Sequence, residues 1–316
     1  MMFDLTTIGE GQIRLTVPRG ERLVNAVSLR MSAACSEANV AGLLSQLGRS
    51  TSWCSKMPRG ELATRVLQEF RSVGVDMSNM VRVDHGRVAL YFMEPGDYPM
   101  PSKVIYDRLH TPFRSIQIDD VNWESMLDTR LVFVTGITAA LSPDTAKIVR
   151  HFCEQAHERG IDIALDVNYR SLLWDAEQAR EVLEPIARMS TLVFASRKDA
   201  QTVFGMPDLS GVEVCKKTRE FLEVPTVVST DSTEGVYLSD ARGEEQFEVK
   251  VVPVIDRPGA GDSFVAGTIH GFLEGDVRAG VQYGQRVSTF ALTHHGDLTH
   301  ISAMELNLPQ TTDIIR

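Results

Sequence analysis

From residue 131 onward, short apolar runs alternate with segments whose apolar positions recur every three to four residues. A short unbroken apolar run suits a strand buried on both faces, and the wider spacing suits a helix with one apolar stripe. The alternation predicts an α/β protein with a mostly parallel sheet covered by helices. Residues 131–134 read as a buried strand. Ser142-Pro143-Asp144 then opens a helix with a capping hydroxyl and a proline at the first position, and Ala146, Val149, Phe152, Cys153 and Ala156 form its stripe up to Gly160. Strands come next at 161–167, 191–195 and 226–229, with helices at 177–186 and 198–204 between them. Residues 236–238 and 247–252, on either side of Asp240-Ala241-Arg242-Gly243, predict an antiparallel hairpin closing the sheet.

The first third of the chain has a different texture. A strand at 5–9 and a helix at 37–47, ended by Gly48, suit the same sheet. Residues 13–30 and 83–106 are mixed. Val88-Ala89-Leu90-Tyr91-Phe92 is strand-like, and Pro95, Pro99 and Pro101 break regular structure just beyond it. The expectation is one α/β domain over 1–316 with a small β lid from about 13–32 and 83–108. No internal repeat, low-complexity tract or linker interrupts it.

Composition narrows the function classes. Hydrophobic residues make up 43% and charged residues 23%, which is globular usage, and no apolar run approaches the ~18 residues of a spanning helix. The start lacks a basic region followed by an apolar stretch, so a cytoplasmic protein is expected. The net charge of −10 argues against duplex nucleic acid as a partner, but a few local amides and cations can still hold a small anion. Trp53, Trp123 and Trp174 are too dispersed for a base-stacking platform. Cys35, Cys54, Cys153 and Cys215 show no paired spacing, which speaks against zinc ribbons and disulfide frameworks. Adjacent His294 and His295 project in different directions and have no third ligand at a suitable spacing.

The chemistry concentrates in Val254-Ile255-Asp256-Arg257-Pro258-Gly259-Ala260-Gly261-Asp262-Ser263-Phe264, which runs into a helical pattern through Val265, Ile269, Phe272 and Leu273. Two glycines let backbone amides turn toward one point, and a helix start adds unsatisfied N–H groups and a positive dipole end. That combination makes an anion hole with the Asp262 carboxylate at its mouth, placed to take a proton from a hydroxyl whose oxygen attacks phosphorus. A plain tight turn with Asp262 as a helix cap accounts for the same letters. The spacing is neither a dinucleotide fingerprint nor a P-loop. Asp166, Asn168 and Arg170 come after the strand at 161–167, at the sheet edge where open α/β folds bind ligands. Arg170 can make a two-pronged contact with a carboxylate or phosphate, or a surface salt bridge with Asp166 or Asp175.

The segment Asp256 to Phe264 resembles the C-terminal signature of the ribokinase-like, phosphofructokinase-B-type carbohydrate kinases. Within that family the chain is most similar to 2-keto-3-deoxygluconate kinases. The resemblance runs from Thr7-Ile8-Gly9-Glu10 through Glu37-Ala38-Asn39-Val40-Ala41, Val104-Ile105-Tyr106-Asp107-Arg108, Gly136-Ile137-Thr138 and Asp166-Val167-Asn168-Tyr169-Arg170 to Gly296-Asp297. It implies a three-layer ribokinase-like sandwich with a β lid, ATP with Mg2+ (a monovalent cation being a further candidate), and transfer of the γ-phosphoryl group to the primary hydroxyl of a sugar or sugar acid. Asp262 is then the base, the amides of Ala260, Gly261 and Asp262 stabilise the transferred group, Gly259 belongs to the same catalytic segment, and Arg170 lies between sugar acid and γ-phosphate. Ala34, Cys35, Asn39, Tyr91, Tyr106, Arg108, Asn168, Arg170 and Asp262 are implied for the acceptor. Ser196, Ser229, Asp231, Gly235, Gly259, Ala260, Gly261 and Gln285 are implied for the nucleotide, and Asp199 for the metal. Strand packing remains an equal account of the two tyrosines. A homo-oligomer joined through the lid is also expected.

Three departures stand out. Ala34-Cys35 replaces the family's Gly-Gly pair, Ser196-Arg197-Lys198-Asp199 replaces its Asn-x-x-Glu, and His110-Thr111-Pro112 replaces the usual residues after the Tyr-x-Arg segment. A kinase for another sugar or a nucleoside, or a non-catalytic sugar-binding protein on the same fold, are the alternatives they leave open.

Overall fold

A computed structural model of the chain describes residues 2–96 and 99–307. In chain order its strands are β1 (Phe3–Ile8), β2 (Gln12–Thr16), β3 (Arg30–Ala34), β4 (Thr51–Cys54), β5 (Lys56–Pro58), β6 (Val81–Val83), β7 (Ala89–Glu94), β8 (Lys103–Asp107), β9 (Thr129–Thr135), β10 (Asp162–Asp166), β11 (Leu192–Phe194), β12 (Thr226–Asp231), β13 (Gly235–Asp240) and β14 (Gly243–Phe247). Eight of them form the main sheet in the order β14-β13-β12-β11-β10-β9-β1-β4. Pairing is parallel from β4 to β12 and antiparallel at the β12–β13–β14 edge.

Both faces of this sheet are covered, which explains the unbroken apolar runs. In β9, Leu131 and Phe133 join one core with Trp53, Phe70 and Phe264, while Val132 and Val134 join the other with Phe152, Leu183 and Phe204. The helices on the second face carry their start signals locally. Ser142 caps Pro143–Glu158, Asp175 caps Ala176–Met189 and Ser210 caps Gly211–Leu222, each in a reciprocal capping box.

On the first face, helix Ala260–Leu273 is buried on nearly every side. Its neighbour Val277–Leu292 approaches so closely that a Cβ on Gly267 would lie 2.5 Å from the backbone nitrogen of Gly284. Only glycine permits that approach, and it fixes the helix whose N-terminus faces the site.

The small second sheet has the order β3-β2-β7-β8, with β2 and β7 parallel and the outer pairs antiparallel. The lid is therefore built from both expected pieces, though residues 17–29 between β2 and β3 are irregular and Val83 belongs to a separate β5–β6 pair. The closing hairpin is also corrected. Its second strand is β14 at Gly243–Phe247, with Asp240 opposite Gly243, and residues 248–252 lie outside any strand. Glu244, Glu245 and Gln246 hide this edge strand from an apolar-run reading, since one of its faces meets water. Among the described residues, no helix is long and apolar enough to cross a membrane.

Candidate active site

A cleft of about 1470 Å³ opens between the carboxyl ends of the main-sheet strands and the lid. The glycine-rich segment forms part of its wall. Gly259 caps helix Ala260–Leu273 in the left-handed region at φ +86°, where a side chain would overlap the carbonyl of Asp297. The amides of Gly261 and Asp262 have no partner among the described residues and stand in the first turn of this helix, so they can receive an anion. Ala260 departs from expectation, because its amide already donates to the carbonyl of Arg257 at 3.3 Å. The guanidinium-bearing Arg257 is exposed, lines the cleft beside these amides and makes no ion pair within 4 Å of the described residues.

Asp262 is held at both oxygens. Ser36 Oγ donates to one at 2.6 Å and Asn39 Nδ2 to the other at 2.7 Å, both from the helix Ser36–Gln46. This fixes the carboxylate toward the cleft. Asn39 then has its Oδ1 buried and unpartnered, as is Gln12 Oε1 on the lid strand β2. Two orphan acceptors on the cleft wall suit a ligand rich in hydroxyl donors. Beneath them, Cys35 sits 3.3 Å from the buried Glu37 carboxyl, which accepts 2.6 Å bonds from Thr135 and Thr138. Burial and the Glu37 charge push the Cys35 thiol well up, so it is a packed wall residue and no nucleophile.

At the end of β10, burial and the neighbouring charges of Asp262 and Asp199 push the Asp166 carboxyl up to about 8. Asn168 donates to it at 3.0 Å from a left-handed backbone, φ +39°. Arg170 lies in the same field, is exposed, and makes no ion pair within 4 Å of the described residues. Its alternative partner Asp175 is spent on capping the next helix. Asp199 lies in the first turn of helix Arg197–Phe204, whose cap is Ser196, and burial raises its carboxyl despite bonds from Ser196 and Tyr169. Carboxylates whose ionised forms are disfavoured by burial and mutual repulsion are a donor set that a hard divalent cation relieves.

The lid contributes Tyr106 and Arg108. Arg108 is only 4% exposed, with Nε donating to Glu10 at 2.8 Å, and Thr111 donates to the other Glu10 oxygen. It lies over the Tyr106 ring at 5.6 Å. Tyr91 lines the cleft with its ring, but its hydroxyl donates to Asp297 at 2.5 Å and is not directed to a ligand.

The nucleotide-side expectations divide. Ser196 and Gln285 line the cleft, whereas Ser229, Asp231 and Gly235 do not. The strand period is the reason: Val228 and Thr230 of β12 face the cleft, so Ser229 and Asp231 face the opposite side, where Asp231 pairs with Arg197 at 3.0 Å. Ala34 and Cys35 line the cleft as expected. Ser36, Glu10, Gln12 and Arg257 also belong to the site, although the sequence does not mark them as site residues. Each stands inside or beside a recognisable motif, but only the folded chain shows that they reach the cleft.

A helix N-terminus with free amides, a fixed carboxylate at its mouth and the cleft-lining cations Arg170 and Arg257 are an arrangement that suits phosphoryl transfer on an α/β fold. The chain belongs to the pfkB family carbohydrate kinases, whose family model matches residues 2–304. It is 32% identical over 97% of its length to the 2-dehydro-3-deoxygalactonokinase of Haloferax volcanii, covering 96% of that protein. It is 25% identical to the 2-dehydro-3-deoxygluconokinase of Bacillus subtilis over 96% of this chain and 94% of the relative. The crystal structure of the Thermotoga maritima 2-dehydro-3-deoxygluconokinase superposes with a TM-score of 0.88 at 28% identity, covering 97% of both chains. The fold is ribokinase-like, as the resemblance implied, and the protein is a sugar kinase.

Proposed function

We propose that this kinase transfers the γ-phosphoryl group of ATP to the primary hydroxyl of a 2-keto-3-deoxy sugar acid, of gluco or galacto configuration. The observation that carries the anionic substrate is Arg170, a cleft guanidinium with no counter-ion among the described residues, standing among carboxylates it does not pair with. The names of the relatives support the same substrate class.

In this reading Asp262, oriented by Ser36 and Asn39, takes the hydroxyl proton as the oxygen attacks. The free amides of Gly261 and Asp262, with Arg257 beside them, receive the charge on the transferred group. Ser196 and Gln285 lie toward the nucleotide. Asp199 and Asp166 would hold magnesium, which when bound neutralises phosphate oxygens. Gln12 and Asn39 accept from acceptor hydroxyls. The four cysteines are all free and buried, which suits a cytoplasmic setting.

The test is Arg170→Ala with a sugar acid and its uncharged analogue. A charge-assisted bond is worth roughly 1.5–3 kcal/mol, so KM for the acid should rise at least tenfold while the analogue changes little. Efficient turnover of a neutral sugar, none of any sugar acid, and no penalty in the variant would retire the sugar-acid reading.

The lid also carries the proposed oligomer. Val24 and Val27 are almost fully exposed, and Met31 and Ile105 are half-exposed on lid strands, Ile105 on the face opposite cleft-lining Val104 and Tyr106. A second copy seated there would cover them. Sedimentation at micromolar concentration should give a dimer that Val27→Asp dissociates, and a monomeric wild type would rule the lid interface out.

A further inference from the structure

The largest fully buried charged side chain among the described residues has no part in the chemistry given above. Arg14, on lid strand β2, is fully buried, and its two terminal nitrogens each bind a different carboxylate at 2.7 Å, Asp256 and Asp297. Neither carboxylate is on the lid. Asp256 opens the segment that runs through Gly259 to Asp262, and its other contacts are the amides of Arg257 at 3.0 Å and Gly296 at 3.2 Å. The backbone of Asp297 packs directly on Gly259, leaving no room there for a side chain. Tyr91, opposite Arg14 in the β2–β7 register, donates to Asp297 from the same sheet.

We propose that Arg14 is a positioning residue for phosphoryl transfer: a latch through which the lid, with Tyr91 as its second arm, holds the Asp256–Asp262 segment and its anion hole in working geometry. A single guanidinium bridges two segments that are 41 residues apart in sequence and meet at Gly259. Its planar fork holds both at once, and a point charge on a flexible stem holds one. With the latch in place, the free amides of Gly261 and Asp262 are set relative to the sugar bound under the lid. Without it, two buried carboxylates lose the counter-charge they share and the segment shifts. Misplacement of about 1 Å in such a site is enough for a 10²-fold loss.

The inference rests on the kinase reading, which turnover by the wild-type enzyme tests alone; the variants then test the latch. Arg14→Met, Arg14→Lys and Tyr91→Phe are assayed for kcat, for KM of the acceptor, for affinity toward a non-hydrolysable ATP analogue by calorimetry, and for thermal melting. In Arg14→Met, kcat should fall about 10²-fold with analogue affinity also reduced and acceptor KM within threefold of wild type. Arg14→Lys should recover about tenfold of that loss, and Tyr91→Phe should show the same split at smaller size. A folded Arg14→Met enzyme with kcat within threefold of wild type overturns the proposal, as does a loss confined to acceptor KM. If Arg14→Met does not fold, Tyr91→Phe and any folded Arg14→Lys decide: wild-type kcat and analogue affinity in them also overturn it.

Discussion

Replacing Asp262 by asparagine should leave a folded protein that binds nucleotide and turns over ~10² to 10⁴ times more slowly, the usual cost of losing a general base. The side chain keeps its shape, and Ser36 can still donate to its one remaining oxygen. The amide nitrogen would face Asn39 Nδ2, which now donates to Asp262 at 2.7 Å, so Asn39 must turn its unpartnered Oδ1 inward and close that short bond from the other side. The orientation of the group therefore survives while its proton affinity does not. Turnover at saturating ATP and acceptor, with calorimetry of an ATP analogue, separates the two. Wild-type turnover in this variant would remove Asp262 from the base role.

The frame of this fold is legible because its central strands are buried on both faces. Strands such as β9 and β10 must be apolar through their centres, Leu131 to Val134 and Ile163 to Leu165, and the helices that follow them begin at Ser142 and Asp175 with side chains that cap their own backbone. Elements without such signals are not legible. Strand β4 is Thr-Ser-Trp-Cys, fully buried with half its residues polar, because Thr51 and Ser52 spend their hydroxyls on Ser45, Ala41 and Asp76. Strand β14 is an edge whose Glu244 and Glu245 serve Ser239, Lys216 and Arg278. In both cases tertiary partners replace the hydrophobic pattern on which local reading depends.

The site is legible as a motif and less so as an arrangement. Asp262, Gly259, Gly261 and Arg170 carry recognisable chemistry in their own segments. The strand phase of β12 and the engagement of the Ala260 amide depend on where a strand or turn begins, and an error of one residue reverses the face. Arg14 and Arg108 look alike in sequence as cations near the lid. Only their partners distinguish them: Arg108 is paired with Glu10 and faces the cleft, whereas Arg14 is enclosed between Asp256 and Asp297.

The two glycines of the anion hole should respond in opposite ways to a side chain, and the contrast tests the hole itself. At Gly259 a valine meets two obstacles. Its backbone sits at φ +86°, which β-branched residues scarcely adopt, and its Cβ would overlap the Asp297 carbonyl, a backbone atom with no freedom to move aside. Left-handed strain of this kind costs of order 1–3 kcal/mol, and relief requires the segment to shift away from Asp297. Gly259→Val should therefore lower the melting temperature and cut kcat by at least ~10², through the same displacement. At Gly261 the backbone is helical and an added Cβ meets nothing within 4 Å, because it projects into open space at the cleft. Gly261→Ala should keep or slightly raise the melting temperature, since alanine favours a helix by about 0.5–1 kcal/mol over glycine. The space it fills is where a phosphate must approach the free amides, so KM for ATP should rise and analogue affinity fall while binding of the sugar measured without nucleotide is unchanged. Equal tolerance at both positions would show that this turn does no more than start a helix. A loss of sugar binding in Gly261→Ala, with nucleotide affinity intact, would place the acceptor and not the phosphate against these amides.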